Sequence, residues 1–130
     1  MAEFKHKRLK IWQDARCLVK AIYGMTQRFP QSEQFGLTNQ LRRAVVSVPS
    51  NIAEGSSRET PQEFARFLII ARGSVAEVDT QLTLAEDLGY VGPDDALHGE
   101  IEKLAMQINS LIARLKIPSQ PTPTSKPLNL

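Results

Sequence analysis

Apolar residues recur along this chain at alternating steps of three and four. Ile11, Ala15, Leu18, Ile22, Met25 and Phe29 form the first set. Leu37, Leu41, Val45 (with Ala44 beside it), Val48 and Ile52 form the second. Phe64, Leu68, Ala71, Val75, Val78, Leu82 and Ala85 form the third, and Leu97, Ile101, Leu104, Ile108, Leu111 and Leu115 the fourth. Such spacing gathers each set on one face of a helix. No alternating period persists, so strands are not expected. The pattern predicts helices over about 9–29, 33–56, 61–88 and 93–116.

Helix-breaking and capping residues fall between these sets. Pro30 follows Phe29 and ends the first helix. Thr60-Pro61-Gln62-Glu63 reads as a capping box with proline in the first turn. Gly55 and Gly89 stand where C-terminal caps are expected. Gly92-Pro93-Asp94-Asp95 puts acids at the positive end of the fourth helix. Pro49 lies inside the second helix and is expected to kink or split it, because it cannot donate to the carbonyl of Val45. Short connections favour antiparallel neighbours, and the fold class predicted is all-α, an up-down-up-down four-helix bundle. Its boundaries are residues 1–8 as a basic N-terminal arm, expected to be flexible, 9–117 as the bundle and 118–130 as a disordered, proline-rich tail.

Composition narrows the function classes. At 130 residues the chain is one domain's length, and 42% hydrophobic residues suffice for a core. No apolar run reaches the roughly 20 residues of a membrane helix, and Met1–Arg8 lacks the apolar stretch of a secretory leader. A cytoplasmic location with no membrane contact is therefore expected. A single cysteine, Cys17, excludes an internal disulfide, and its place beside Leu18 predicts a buried structural thiol.

The net charge of +2 conceals an asymmetry. Residues 1–72 hold 12 Lys/Arg against 6 Asp/Glu, a net of +6. Residues 73–130 hold 4 against 8, a net of −4. A chain divided in this way can present a basic face at low overall charge.

Catalytic chemistry is sparse, and no enzyme or cofactor is predicted. The seven glycines are scattered rather than gathered in a phosphate loop. Glu3-Phe-Lys-His6 and Asp95-Ala-Leu-His98 approach the Glu-x-x-His spacing of di-iron bundles, but one precedes the first helix and the other sits in a first turn. Solvated charges at helix ends are expected there, and no metal site. In the second helix, Arg43, Ser47, Asn51 (or Ser50) and Glu54 form a polar stripe of poor helix formers beside the apolar one. Gly73-Ser74, with Glu77 and Gln81 on the same face, predicts a close approach of another backbone. A hydrogen-bonded seam, within the bundle or between subunits, is the reading preferred for the stripe, and close packing that for Gly73-Ser74. The bases Lys10, Arg16, Lys20, Arg42, Arg43 and Arg58 are the candidate phosphate contacts, with Lys5, Lys7 and Arg8 as an accessory arm. With no helix-turn-helix pattern and no aromatic platform evident along the chain, sequence-specific readout is not expected.

These stretches resemble a known family, the four-helix-bundle proteins encoded in intervening sequences of bacterial large-subunit ribosomal RNA genes. The resemblance runs over about residues 4–116. It rests on Leu9-Lys-Ile-Trp-Gln13, Phe29-Pro30 with Glu33 and Phe35-Gly-Leu37, Gln40-Leu-Arg-Arg-Ala44, Arg58, Glu63-Phe64, Ala71-Arg-Gly-Ser74 and Glu77. Its most specific stretch is Ser47-Val-Pro-Ser-Asn-Ile-Ala-Glu-Gly55. The resemblance implies a ring-like homopentamer, similar in fold to the accessory protein of diversity-generating retroelements, a basic pentamer that binds nucleic acid and a reverse transcriptase. A ring requires a heterologous contact, for which Arg43, Ser47, Asn51, Glu54, Gly73, Ser74 and Glu77 are the candidate interface residues.

Two functions from different classes follow. One is an oligomeric bundle that binds RNA or DNA through the backbone. The other is a structural adaptor whose homo-oligomer recruits a protein partner, such as a reverse transcriptase or another nucleic-acid enzyme.

Overall fold

A computed structural model describes residues 4–116 of the chain. The proline-rich segment 118–130, expected to be disordered, lies outside the described residues, as do Met1–Glu3. Four helices, α1 (Lys10–Thr26), α2 (Leu37–Ser56), α3 (Pro61–Asp87) and α4 (Asp95–Lys116), account for most of the described chain, with no strand among those residues. Short 3₁₀ turns occupy Lys5–Arg8 and Gln31–Glu33. The helices pack in cyclic order, with the α2–α3 contact the most extensive and α1–α4 the least. Contacts join residues whose numbers rise on one helix as they fall on the next. Thr26 meets Arg42, Ser47 meets Ser74, and His98 meets Asp79. The fold is therefore the antiparallel four-helix bundle.

The core is built from the predicted faces. All six positions of the first set are buried, as are Leu41, Val45, Val48 and Ile52 of α2 and the run Leu68–Ala85 of α3 at its periodic positions. In α4 the buried face is Ile101, Leu104, Ile108 and Ile112. Leu111 and Leu115, expected on that face, are only half-buried, since 3.6 residues per turn carries the stripe onto Ile112.

Helix ends follow local chemistry. Thr60 Oγ1 accepts the Glu63 N–H at 3.2 Å, with Pro61 in the first turn. Asp94 Oδ1 accepts the Leu97 N–H at 3.0 Å and starts α4. Gly89 adopts φ +76, and the bonds from Tyr90 N–H to Ala85 O and Gly89 N–H to Glu86 O close α3 in a Schellman arrangement. The second helix begins later than its pattern predicts. Residues 33–36 turn first, and the Glu33 carboxylate folds over the new helix, accepting the Leu37 N–H at 2.9 Å and the Tyr90 hydroxyl at 2.7 Å. Gly36 leaves room for it, because a Cβ there would stand 2.5 Å from Glu33 Oε1.

Three expectations are corrected. Helix α2 stays helical from Leu37 to Ser56 and is not split at Pro49. Its neighbouring carbonyls are supplied with side-chain donors, Ser50 Oγ to Val46 O at 2.9 Å and Asn51 Nδ2 to Ser47 O at 2.8 Å. Gly55 is not a cap. It is buried inside α2, where a Cβ would meet Phe67 Cβ at 2.7 Å and Phe64 Cδ1 at 3.0 Å, so its bare backbone is what lets α3 approach. Lys5–Arg8 is a seated turn rather than a flexible arm. Gln13 Nε2 donates to Lys7 O at 2.8 Å, and the His6 ring lies 4.9 Å from that of Trp12.

The two kinds of helical glycine give a paired prediction. Gly99 in α4 has open space where its Cβ would be, so Gly99→Ala is expected to stabilise the protein by about 0.5–1 kcal/mol through helix propensity. Gly55→Ala is expected to destabilise it by about 1–3 kcal/mol, because Phe67 is displaced at its root. Urea denaturation of both variants checks the opposite signs.

Candidate nucleic-acid interface

Helices α1 and α2 lie side by side with a groove between them. The sequence places Trp12, Arg16, Val19 and Tyr23 on the α2-facing flank of α1, at steps of 4, 3 and 4. On α2 the facing positions are Arg42, Val46, Pro49 and Ala53. Two depressions follow this line. Trp12, Arg16, Val19, Val46, Pro49, Ser50 and Ala53 border one; Tyr23, Asn39, Arg42, Arg43, Val46 and Ser47 border the other. They join at Val46, and no acidic residue lines either.

The candidate bases are held in different ways. Arg42 is fixed: its Nε donates to Thr26 Oγ1 at 2.8 Å, its Nη2 to Tyr23 O at 3.3 Å, and its Cζ lies 4.5 Å from the Tyr23 ring centre. It thus satisfies the open carbonyl end of α1. Arg16 lies over the Trp12 ring at 5.4 Å. Lys20, one turn beyond Arg16, and Arg43 are exposed, and neither has an acidic partner among the described residues. Lys10 and Arg58 depart from this group. Lys10 pairs with Asp14 at 3.0 Å, and Arg58 with Glu54 at 3.0 Å while lying over Phe67. Three of the six candidates, Arg16, Arg42 and Arg43, therefore border one groove, Lys20 lies outside its lining, and Lys10 and Arg58 sit elsewhere in exposed pairs that contribute little to stability. The aromatic members of the face, Trp12 and Tyr23, are not expected from composition. Their signal is the 4-3-4 spacing with Arg16 and Val19, which marks a second, outward flank of α1.

The polar stripe of α2 faces α3. Ser47 Oγ and Ser74 Oγ share a hydrogen bond of 2.8 Å, and Asn51 Nδ2 donates to Ser47 Oγ at 2.9 Å. For these three residues the seam lies within the bundle. Arg43, Ser47, Ser74 and Glu77 border one groove with Gln81 and Phe35, whose ring is 87% exposed. The buried Oε1 of Gln81 has no hydrogen-bond partner. Glu54 is turned to Arg58, and Gly73 is exposed with nothing near its Cβ position, so the close approach expected at Gly73-Ser74 is made within the chain by Ser74 alone.

Comparison with known proteins bears on this arrangement. Residues 7–113 match the 23S rRNA-intervening sequence protein family. The chain belongs to that family. A crystal structure of a protein of unknown function from the S23 ribosomal protein family of Bacteroides thetaiotaomicron is similar to it, with a TM-score of 0.63 and 21% identity. The match covers 82% of this chain and 99% of that one, and at this identity it establishes the shared fold. No curated protein matches the chain. No helix among the described residues is long and apolar enough to cross a membrane.

Two side chains differ from expectation. Cys17 is exposed, not buried, because Leu18 takes the core position and each step along a helix turns about 100°. His98 is a clasp between α4 and α3 rather than a solvated charge. Its Nδ1 lies 2.7 Å from Asp79 Oδ1 and its Nε2 3.0 Å from Glu86 Oε1, with the ring 20% exposed. Hydrogen bonds to Asp79 and then Glu86 raise its pKa above the ordinary histidine value, outweighing the opposing effect of burial. Just beyond the C-terminus of α3, the Leu37 N–H and then the Tyr90 hydroxyl hold the Glu33 carboxyl below its ordinary range. The same bond to Glu33 raises the Tyr90 hydroxyl.

Arg42 and Arg43 are adjacent in sequence but opposite in role. Arg42→Ala is expected to cost about 1–3 kcal/mol of stability, since two hydrogen bonds and a ring contact are lost. Arg43→Ala is expected to stay within about 0.5 kcal/mol of the parent. Chemical denaturation separates them. The His98 clasp sets a pH dependence. Because the folded protein binds this proton more tightly than the unfolded chain, the stabilisation is complete below about pH 6.5 and is lost as pH rises through the raised folded value. The melting temperature is expected to fall from pH 6 to pH 8 more steeply in the parent than in His98→Gln.

Proposed function

We propose that this protein is a non-enzymatic, oligomeric bundle that binds RNA or DNA through phosphate contacts, without strong sequence preference. The observation that carries the reading is the α1–α2 face. Arg16, Arg42 and Arg43 border its groove, Lys20 stands exposed one turn from Arg16 on α1, and no acid lines the groove. The excess acids of the chain fall after Gly73, on α3 and α4 and the turn between them. Phosphates near such a face meet cations without competing carboxylates, and binding releases condensed counterions. Arg42 is already ordered by Thr26 and Tyr23, so less side-chain freedom is lost on contact. Assembly into a homopentamer, as the family resemblance implies, repeats the face five times and converts weak contacts into avidity.

A second reading concerns the groove between α2 and α3. Phe35 stands exposed at its edge, and Arg43 and Glu77 bring opposite charges to it. This is the surface favoured for subunit contact, and by extension for an adaptor that recruits a nucleic-acid enzyme.

Fluorescence anisotropy of labelled RNA and DNA over a salt series tests the first reading. Binding is expected to weaken steeply with salt, at about 0.7–0.9 in the log–log slope per phosphate neutralised. The paired charge reversal Arg16→Glu, Arg43→Glu is expected to lower affinity at least tenfold at about 50 mM salt. It leaves Arg42 in place, and because Arg43 also borders the groove favoured for subunit contact, circular dichroism and oligomeric state are measured on the same variant. Salt-independent or absent binding overturns the reading and moves attention to the α2–α3 groove.

A further inference from the structure

The α1–α2 face holds more than charge. Trp12, Val19, Val46, Pro49 and Ala53 form an apolar trough of about 420 Å³, with Arg16 and Ser50 at its rim. Phosphates gain nothing from such a floor, because burying an anion against Val and Pro strips its hydration without a partner. Val46 also borders the neighbouring depression where the Arg42 guanidinium is held 4.5 Å from the Tyr23 ring. The two aromatic residues are 11 positions apart on α1, about 16 Å at 1.5 Å per residue.

A groove with cations along its edges and an apolar floor matches a chain that is anionic on one side and apolar on the other. An unpaired nucleotide is such a chain. Its base has apolar faces and polar edges and can lie on an aliphatic or aromatic surface or on an arginine plane. A duplex offers only its backbone to a shallow groove of this kind, with its bases stacked inside. We infer that the α1–α2 trough takes unpaired nucleotides: the sugar–phosphate chain runs along Arg16 and Arg43, and a base lies over Val46, Pro49 and Ala53 against Trp12. This rests on the phosphate-binding reading above and makes it specific to single strands. Ser50 is placed to meet a base edge, and the fixed Arg42–Tyr23 pair offers a second stacking plane.

Trp12 is the only tryptophan of the chain, so its fluorescence reports on the trough directly. The experiment titrates the full-length protein with a mixed-sequence single-stranded RNA, the same sequence as single-stranded DNA, and both as perfect duplexes, at one salt concentration. Anisotropy and Trp12 emission are read together. Both single strands are expected to bind at least tenfold more tightly than the duplexes and to quench Trp12. Similar values for RNA and DNA indicate that the base, not the sugar, fills the trough; a difference between them adds a sugar contact to it. Ala53→Leu, which fills the trough without changing charge, is expected to lower single-strand affinity at least fivefold and to leave duplex affinity unchanged. Its helical circular dichroism and melting curve report whether it folds, and the Trp12 signal of the parent stands independently of it. Equal affinity for single strands and duplexes, or preference without a Trp12 change, overturns the trough and leaves phosphate binding intact. No binding of any of the four overturns both.

Discussion

Pro49 removes an amide donor from the middle of α2, and Ser47, Ser50 and Asn51 around it are poor helix formers. The helix therefore depends on what its neighbours supply, because the Val45 carbonyl is left without its backbone donor. Ser50 and Asn51 donate to the carbonyls of Val46 and Ser47, one and two positions on, and do not replace that donor. Ser74 of α3 joins Ser47, Arg42 ties α2 to the end of α1, and Gly55 admits Phe64 and Phe67. Remove these and an isolated α2 has little reason to stay helical, since packing rather than propensity supplies most helical stability in proteins. The rest of the bundle is arranged around this dependence, and the α2–α3 contact is the most extensive of the four.

The same helix connects architecture to function. One flank of α2 builds the α1–α2 trough, and the opposite flank builds the α2–α3 groove. Arg43, on the ridge between them, borders both. A subunit contact on the α3 side and a ligand on the α1 side would meet on a single helix that is held in place by tertiary contacts. Any rearrangement at one groove acts on residues one turn from the other. The acidic second half contributes a different element: the Asp79–His98–Glu86 clasp, which ties α3 to α4 by charge-assisted hydrogen bonds away from the basic face.

Much of the fold was legible in the sequence. A step of three or four marks a helical face whatever the partner, so the four helices and nearly all their buried positions could be read directly. The caps at Thr60 and Gly89 were legible for the same local reason, whereas Asp94 was read only as an acid near the start of α4. Where a residue's role depends on what lies opposite, the sequence was silent. Gly55 looks like a cap until Phe67 is seen against it. Arg42 and Arg43 look alike until Thr26 and Tyr23 are found beneath one of them. His98 looks solvated until two carboxylates from α3 enclose it.

By itself, then, the sequence determined the number of helices, their inward faces, the charge imbalance between the halves and the family to which the chain belongs. These are properties of short range or of composition, and they need no knowledge of neighbours. The tertiary structure decided which bases share a face, which are spent on holding α1 to α2, and that Trp12 and Tyr23 join the exposed ones beside an acid-free groove. That information lies in pairs of residues far apart in the chain, such as Arg42 with Thr26 and Tyr23, 16 and 19 positions away, and only the packing of one helix against the next brings such pairs within reach of each other.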